Sequence, residues 1–139
     1  MTEKFFLDTN ILLYAADGSD QAKQKVAQSL ILSGMKTRKA VVSTQVLQEY
    51  FVNATRKLGI PAETVRSTIS NYLTFTTVIV QPDDLLSAID LHRLHQFSFW
   101  DSLIVHCASR SGSKVLYSED LQSGQRIAGL RVENPFLAK

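Results

Sequence analysis

"VLYSEDLQSG", residues Val115 to Gly124, begins as a buried strand begins and then stops on two acids. Three apolar residues and Ser118 run straight into Glu119 and Asp120, and Gly124 follows. Ser, Asp and Gly are ordinary turn formers, so a solvated turn is one reading of that acidic end. The other is that the acids hold something positive. The choice depends on what else in the chain ends the same way. "KFFLD", Lys4 to Asp8, does: it is another short apolar run that closes on a carboxylate.

Three further runs have the character of buried strands: "AVVST" (Ala40 to Thr44), "TTVIV" (Thr76 to Val80) and "LRVEN" (Leu130 to Asn134). They are β-branched or apolar without alternation, the pattern of strands covered on both faces. Helical patterns lie between them. Ala22, Val26 and Leu30 stand four apart in a helix expected from Asp20 to Leu32, with Gly34 as its stop. Val46, Leu47, Tyr50, Phe51, Ala54 and Leu58 form the stripe of the next, closed by Gly59. Pro61 suits the first turn of a helix in which Val65, Ile69, Tyr72 and Leu73 share a face. Pro82 opens another, with Asp83 and Asp84 at the positive end of its dipole. Ser98 caps the last, where Trp100, Leu103, Ile104, Cys107 and Ala108 make an apolar stripe that ends at Gly112. Trp100 and Cys107 read as core. Strands alternating with helices define an α/β fold, a parallel sheet between two helical layers. In such sheets, ligands bind beyond the carboxyl ends of the strands, where the strand order reverses.

The length of 139 residues fits one domain spanning 1–139, and 45% hydrophobic with 20% charged residues is ordinary for a soluble protein. The longest apolar runs, such as Ile11 to Ala16, are too short to cross a bilayer. "MTEKFFLD" has an apolar run of only three residues before Asp8, so no secretory signal is expected. One cysteine excludes an internal disulfide and fits a reducing cytoplasm. The net charge of +2 hides a possible asymmetry: if four of the 13 acids gather in one site, 15 Lys and Arg face nine acids elsewhere, an excess of six. Such a basic surface would suit a polyanion.

Four acids fall at the rim that this architecture selects. Asp8 and Asp120 follow strand ends, Glu49 sits one to two turns into the helix after the second strand, and Asp101 lies in a first helical turn. Each has an ordinary alternative. Asp8 with Thr9 and Asn10 reads as an Asx-type turn, Asp101 as half of a capping box with Ser98, Glu49 as solvated helix surface, and Glu119–Asp120 as a turn. Singly these alternatives hold their own; jointly they require four accidents at one rim. Clustered carboxylates repel unless a cation intervenes, and an all-oxygen set selects Mg²⁺ or Mn²⁺ over zinc. Such an ion activates water and neutralises charge on a phosphoryl group. His92 and His95, three apart, lack the partners a zinc site needs and read, with His106, as surface or structural residues.

"FLDTNILLY", "STQVLQEY", "SFWDSLIVHCA" and "VLYSEDLQSGQRIAGLRVENPF" together resemble the PIN-domain ribonucleases, in particular the VapC-type toxins of bacterial toxin–antitoxin pairs. The resemblance implies an α/β/α sandwich with strand order 3-2-1-4-5. It implies a site of Asp8, Glu49, Asp101 and Asp120, supported by Thr9, Asn10 and Ser118, with Asp8, Asp101 and Asp120 holding the metal. It also implies Mg²⁺- or Mn²⁺-dependent hydrolysis of RNA to 5′-phosphate ends, a homodimer, and an antitoxin that blocks the site. Ser123 departs from the histidine found in many relatives, at a position given no catalytic role here.

Two other classes compete. A phosphohydrolase using Asp8 as nucleophile would carry a second aspartate two residues on, where Asn10 stands. A non-enzymatic signalling or metal-binding RNA-interaction domain would share the acidic pocket without hydrolysis.

Overall fold

Phe5, Phe6 and Leu7 are all buried, and so are Ala40 to Ser43, as strands covered on both faces must be. In the computed structural model, which describes residues 3–137, they form β1 (Phe5–Leu7) and β2 (Ala40–Ser43). Between them lie α1 (Thr9–Ala16) and α2 (Gln21–Thr37); after them come α3 (Thr44–Arg56), α4 (Ala62–Tyr72), β3 (Thr76–Val78), α5 (Pro82–His95) and α6 (Phe99–Arg110). The chain continues with β4 (Val115–Tyr117), β5 (Arg126–Ile127) and β6 (Leu130–Glu133). The sheet order is β3-β2-β1-β4-β6-β5, parallel except for the β5–β6 pair. The expected α/β/α fold is therefore present, with β1 and β4 side by side at the switch point.

The expected order 3-2-1-4-5 needs one correction. The fifth strand of that order is β6, and the two-residue β5 adds an antiparallel edge beyond it. Ala128 (φ 52°) and Gly129 (φ 81°) form the tight link between them, both in the left-handed region that two-residue hairpins demand. The run Thr76 to Val80 is also shorter and less covered than its composition implies. β3 is the opposite edge strand and stops at Val78; Ile79 is 61% exposed, and the Val80 N–H donates to Thr44 Oγ1 at 3.3 Å instead of joining the ladder.

Two helices differ from the pattern reading. α1 was not expected: Asp8 is its N-cap, accepting the Thr9 N–H at 2.7 Å, so the apparent turn is a helix start. α2 runs through Gly34 to an αL residue, Arg38, and its buried face is Ala27, Ile31 and Gly34, not the Ala22–Val26–Leu30 row. Gly34 is a contact residue. A Cβ there would lie 2.4 Å from the Ala40 Cβ of β2, which is fixed to the backbone. Gly34→Ala gains about 1 kcal/mol of helix propensity but forces α2 off the sheet, an overpacking cost of up to about 3 kcal/mol. The clash wins, and urea denaturation is expected to show a loss of about 2 kcal/mol. A more stable variant would mean that the helix can back away freely.

Candidate active site

The β1–β4 register pairs Phe5 with Val115, Phe6 with Leu116 and Leu7 with Tyr117, which brings the next residues, Asp8 and Ser118, face to face. Asp8 is only 4% exposed. Its Oδ1 accepts the Thr9 N–H and its Oδ2 accepts the Ser118 hydroxyl, both at 2.7 Å. The same Ser118 Oγ accepts the Asp120 N–H at 3.2 Å, tying the end of β1 to the loop after β4. Thr9 Oγ1 donates to Glu49 Oε1 at 2.7 Å, across from α1 to α3. Asn10 Nδ2 donates to Asp120 Oδ2 at 3.1 Å, and its Oδ1 accepts the Glu119 N–H at 3.2 Å. Thr9, Asn10 and Ser118 thus each hold one carboxylate. Asp101 enters from the first turn of α6, where the Ser98 hydroxyl caps its N–H at 3.0 Å.

Asp8, Glu49, Asp101 and Asp120 line one cavity of about 360 Å³. Burial pushes the Asp8 carboxyl up to about 7; the Ser118 and Thr9 hydrogen bonds pull against it, and the charges of Asp120 and Asp101 push it further up. Burial also raises Asp101, and Asp120 adds to the effect. These acids therefore feel one another across the cavity. Among the described residues no three His, Cys, Asp or Glu side chains meet as a finished metal cage; Asp8, Glu49 and Asp120 are each tied to their own donor.

The two acids after β4 part company. Both line the cavity, but Asp120 is held there by Asn10, whereas Glu119 takes the Tyr14 hydroxyl at 2.6 Å on one oxygen and the Lys23 ammonium on the other. Burial raises the Glu119 carboxyl, but these two donors outweigh it and hold it below its ordinary range. The positive group that Glu119 holds is the chain's own lysine.

Trp100 corrects a second expectation. It is 59% exposed and lines the cavity, while Leu103, Ile104, Cys107 and Ala108 of its stripe are buried. The stripe continues past the core by one turn at the start of α6, and Trp100 stands on that overhang. The sequence marks Lys57 only as one of its paired basic residues, beside Arg56, and does not single out Gln45 or Asn53; all three also line the cavity. With Glu49 they recur every four residues along α3, a polar stripe beside the apolar one. Gln45 is buried; its Nε2 donates to the Trp100 carbonyl at 3.2 Å, and its Oε1 has no partner among the described residues. The histidines lie elsewhere: His106 pairs with Asp84, and His92 meets the Phe97 carbonyl.

A doubly wound α/β protein with a carboxylate-lined cavity at its switch point is the class that this geometry defines. Residues 5–129 match the PIN domain family, and the chain belongs to it. Its fold is similar to that of Mycobacterium tuberculosis VapC20, a toxin that cleaves the sarcin–ricin loop (TM-score 0.70, 22% identity, 83% of this chain and 88% of that one). It is also similar to chains in a toxin–antitoxin complex from Klebsiella pneumoniae (0.68, 17%, 95% and 98%) and in DNA-bound VapBC from Salmonella typhimurium (0.64, 19%, 95% and 98%). No curated protein matches it in sequence.

Proposed function

We propose that the chain is a divalent-metal-dependent endoribonuclease that hydrolyses RNA phosphodiester bonds. The observation that carries this reading is that Asp8, Glu49, Asp101 and Asp120, none paired with a cation among the described residues, line one cavity, with a buried Asp8 whose carboxyl sits at about 7. A buried carboxylate beside two others is stable in its charged form only against a cation. The donors of these acids are all oxygen, the chemistry that a hard divalent ion selects, so the residues present fit Mg²⁺ or Mn²⁺. Asp8, Asp101 and Asp120 would hold the ion, with Glu49 completing the set. When bound, the ion neutralises charge on the phosphoryl oxygens and makes water a better nucleophile at neutral pH.

The chain's own groups do the rest. Ser118 and Thr9 fix both oxygens of Asp8, which makes that carboxylate an anchor and a poor nucleophile; this weighs against the phosphohydrolase reading. Thr9 fixes Glu49 through Oε1 and leaves Oε2 with only a 3.5 Å contact to Gln45, free to take a proton from an attacking water. Asn10 holds Asp120 at the opposite wall. By likeness to the VapBC structures, the chain would act as the toxin of a toxin–antitoxin pair in the cytoplasm, as a homodimer whose cavity an antitoxin covers. No helix among the described residues is long and apolar enough to cross a membrane.

The test is cleavage of single-stranded RNA by the purified chain with Mg²⁺, Mn²⁺ or EDTA. Metal-dependent cutting that leaves 5′-phosphate ends is expected; undiminished cutting in EDTA would end the proposal. The neighbouring acids provide a second check. Asp120→Asn is expected to cut activity by roughly a hundredfold or more. Glu119→Gln, which loosens the Lys23 tie, is expected to cost about 1 kcal/mol of stability and less than tenfold in rate. Equal losses in the two variants would place both acids in the chemistry.

A further inference from the structure

Building on the ribonuclease reading, we infer that Trp100 and Lys57 form the RNA-gripping rim of the cavity. The indole stacks on a base of single-stranded RNA next to the scissile phosphate, and the Lys57 ammonium pairs with a backbone phosphate further along the strand.

Trp100 lines the same cavity as Asp8, Glu49, Asp101 and Asp120, so a strand bound at the acids lies beside it. The residue is held in place: Gln45 Nε2 donates to its carbonyl at 3.2 Å, and Phe99 meets the ring edge-on at 5.2 Å and 78°. A braced indole that remains 59% exposed at the mouth of a cavity is a platform for a flat ligand. Bases stack on such platforms whatever their identity.

Lys57 stands at the far end of the polar stripe on α3, about 12 Å along the helix axis from Glu49. Among the described residues it joins no ion pair. Lys23, the nearest comparison, is already neutralised by Glu119, and Asn53 spends its amide on the Glu49 carbonyl at 2.8 Å. Lys57 is thus the cation of this cavity left to meet a polyanion. A strand of phosphates approaching these carboxylates needs an attractive contact away from them, and Lys57 supplies it.

Trp100 is the chain's single tryptophan, so its emission reports on stacking directly. The wild-type chain would be titrated in EDTA with a short single-stranded RNA and with an abasic strand of the same length. The RNA is expected to quench the emission, and the abasic strand to bind without quenching. Trp100→Ala is expected to weaken RNA binding roughly tenfold or more, with most of the affinity recovered in Trp100→Phe. Lys57→Ala is expected to flatten the dependence of log affinity on log salt by about 0.7, the share of one phosphate on a single strand, and Lys57→Arg to restore it. Binding without quenching, wild-type affinity in Trp100→Ala, or an unchanged salt slope in Lys57→Ala would overturn the inference. A chain that cleaves RNA with Mn²⁺ but shows no quenching would refute the rim and leave the nuclease standing. Quenching without any metal-dependent cleavage would do the reverse.

Discussion

Asp8→Asn is expected to lower RNA cleavage on the order of a thousandfold or more, and at neutral pH in EDTA to make the fold more stable than the wild type. Both effects come from the same burial. The folded protein raises the Asp8 carboxyl from 3.8 to about 7. A raised carboxyl keeps its proton in the folded state after the unfolded chain has lost it. Its contribution to stability is therefore complete below pH 3.8 and disappears as pH rises through about 7. A shift of about three units corresponds to roughly 4 kcal/mol between those limits. Asn cannot titrate, yet it fills the same space and still accepts from the Thr9 N–H. Urea unfolding of both proteins in EDTA from pH 4.5 to 8 should give curves that diverge as pH rises, with the variant on top. Adding Mg²⁺ should recover the wild type alone. Parallel curves would show that Asp8 carries no buried charge, and an active variant would remove it from the chemistry.

The largest loss of stability is expected far from the cavity, at Asp84. This carboxylate accepts the Gln81 N–H at 2.7 Å, Arg110 Nε at 2.9 Å and Nη2 at 2.7 Å, and faces His106 Nε2 at 2.8 Å. Arg110 Nη2 also donates to the Ile79 carbonyl at 2.9 Å, so one buried acid joins the exit of β3, the start of α5 and the end of α6. Asp84→Ala strips the helix cap and leaves a guanidinium without its partner. Removing one member of a buried pair costs about 3–5 kcal/mol. The half-exposed Arg110 can turn to water, which favours about 3 kcal/mol and a drop of roughly 10 °C in Tm. Burial raises the Asp84 carboxyl, but Arg110, the Gln81 N–H and His106 outweigh it and hold it at about 2. Its contribution is therefore present above pH 3.8 and lost as pH falls through about 2, the opposite sense to Asp8. Thermal melts of Asp84→Asn and wild type should differ most at neutral pH and converge near pH 2. Cleavage per folded molecule should not change.

The parts of this molecule that could be read from its sequence are those where local pattern and tertiary role agree. Asp8 and Asp120 stood out because an apolar run closing on an acid is unusual inside a sheet protein, and β1 and β4 are neighbours as that reading required. Ser98 was legible as a cap and Asp101 as a first-turn acid, and both descriptions hold at once. Elsewhere tertiary contact overrode local preference. Gly34 looks like a helix stop and is a point of close approach. Trp100 looks like core and stands on the overhang of its helix. Asp8-Thr9-Asn10 looks like a turn and starts a helix, because the carboxylate that serves the cavity also caps α1. The position of Glu49 off the apolar stripe looked like simple solvation; with Gln45, Asn53 and Lys57 the same fact marks a second, polar face turned to the cavity.

The central strand pair joins Phe5–Leu7 to Val115–Tyr117, segments 110 residues apart in the sequence (115 against 5). While the polypeptide is being synthesised, β1 has no β4 to pair with, Asp8 has no Ser118, and Asp120 does not yet exist. A product released early, between residues 101 and 120, carries three of the four acids and no means of assembling them. A cutter of RNA made on an RNA template is thus inert until β4 and the loop that carries Asp120 have been translated.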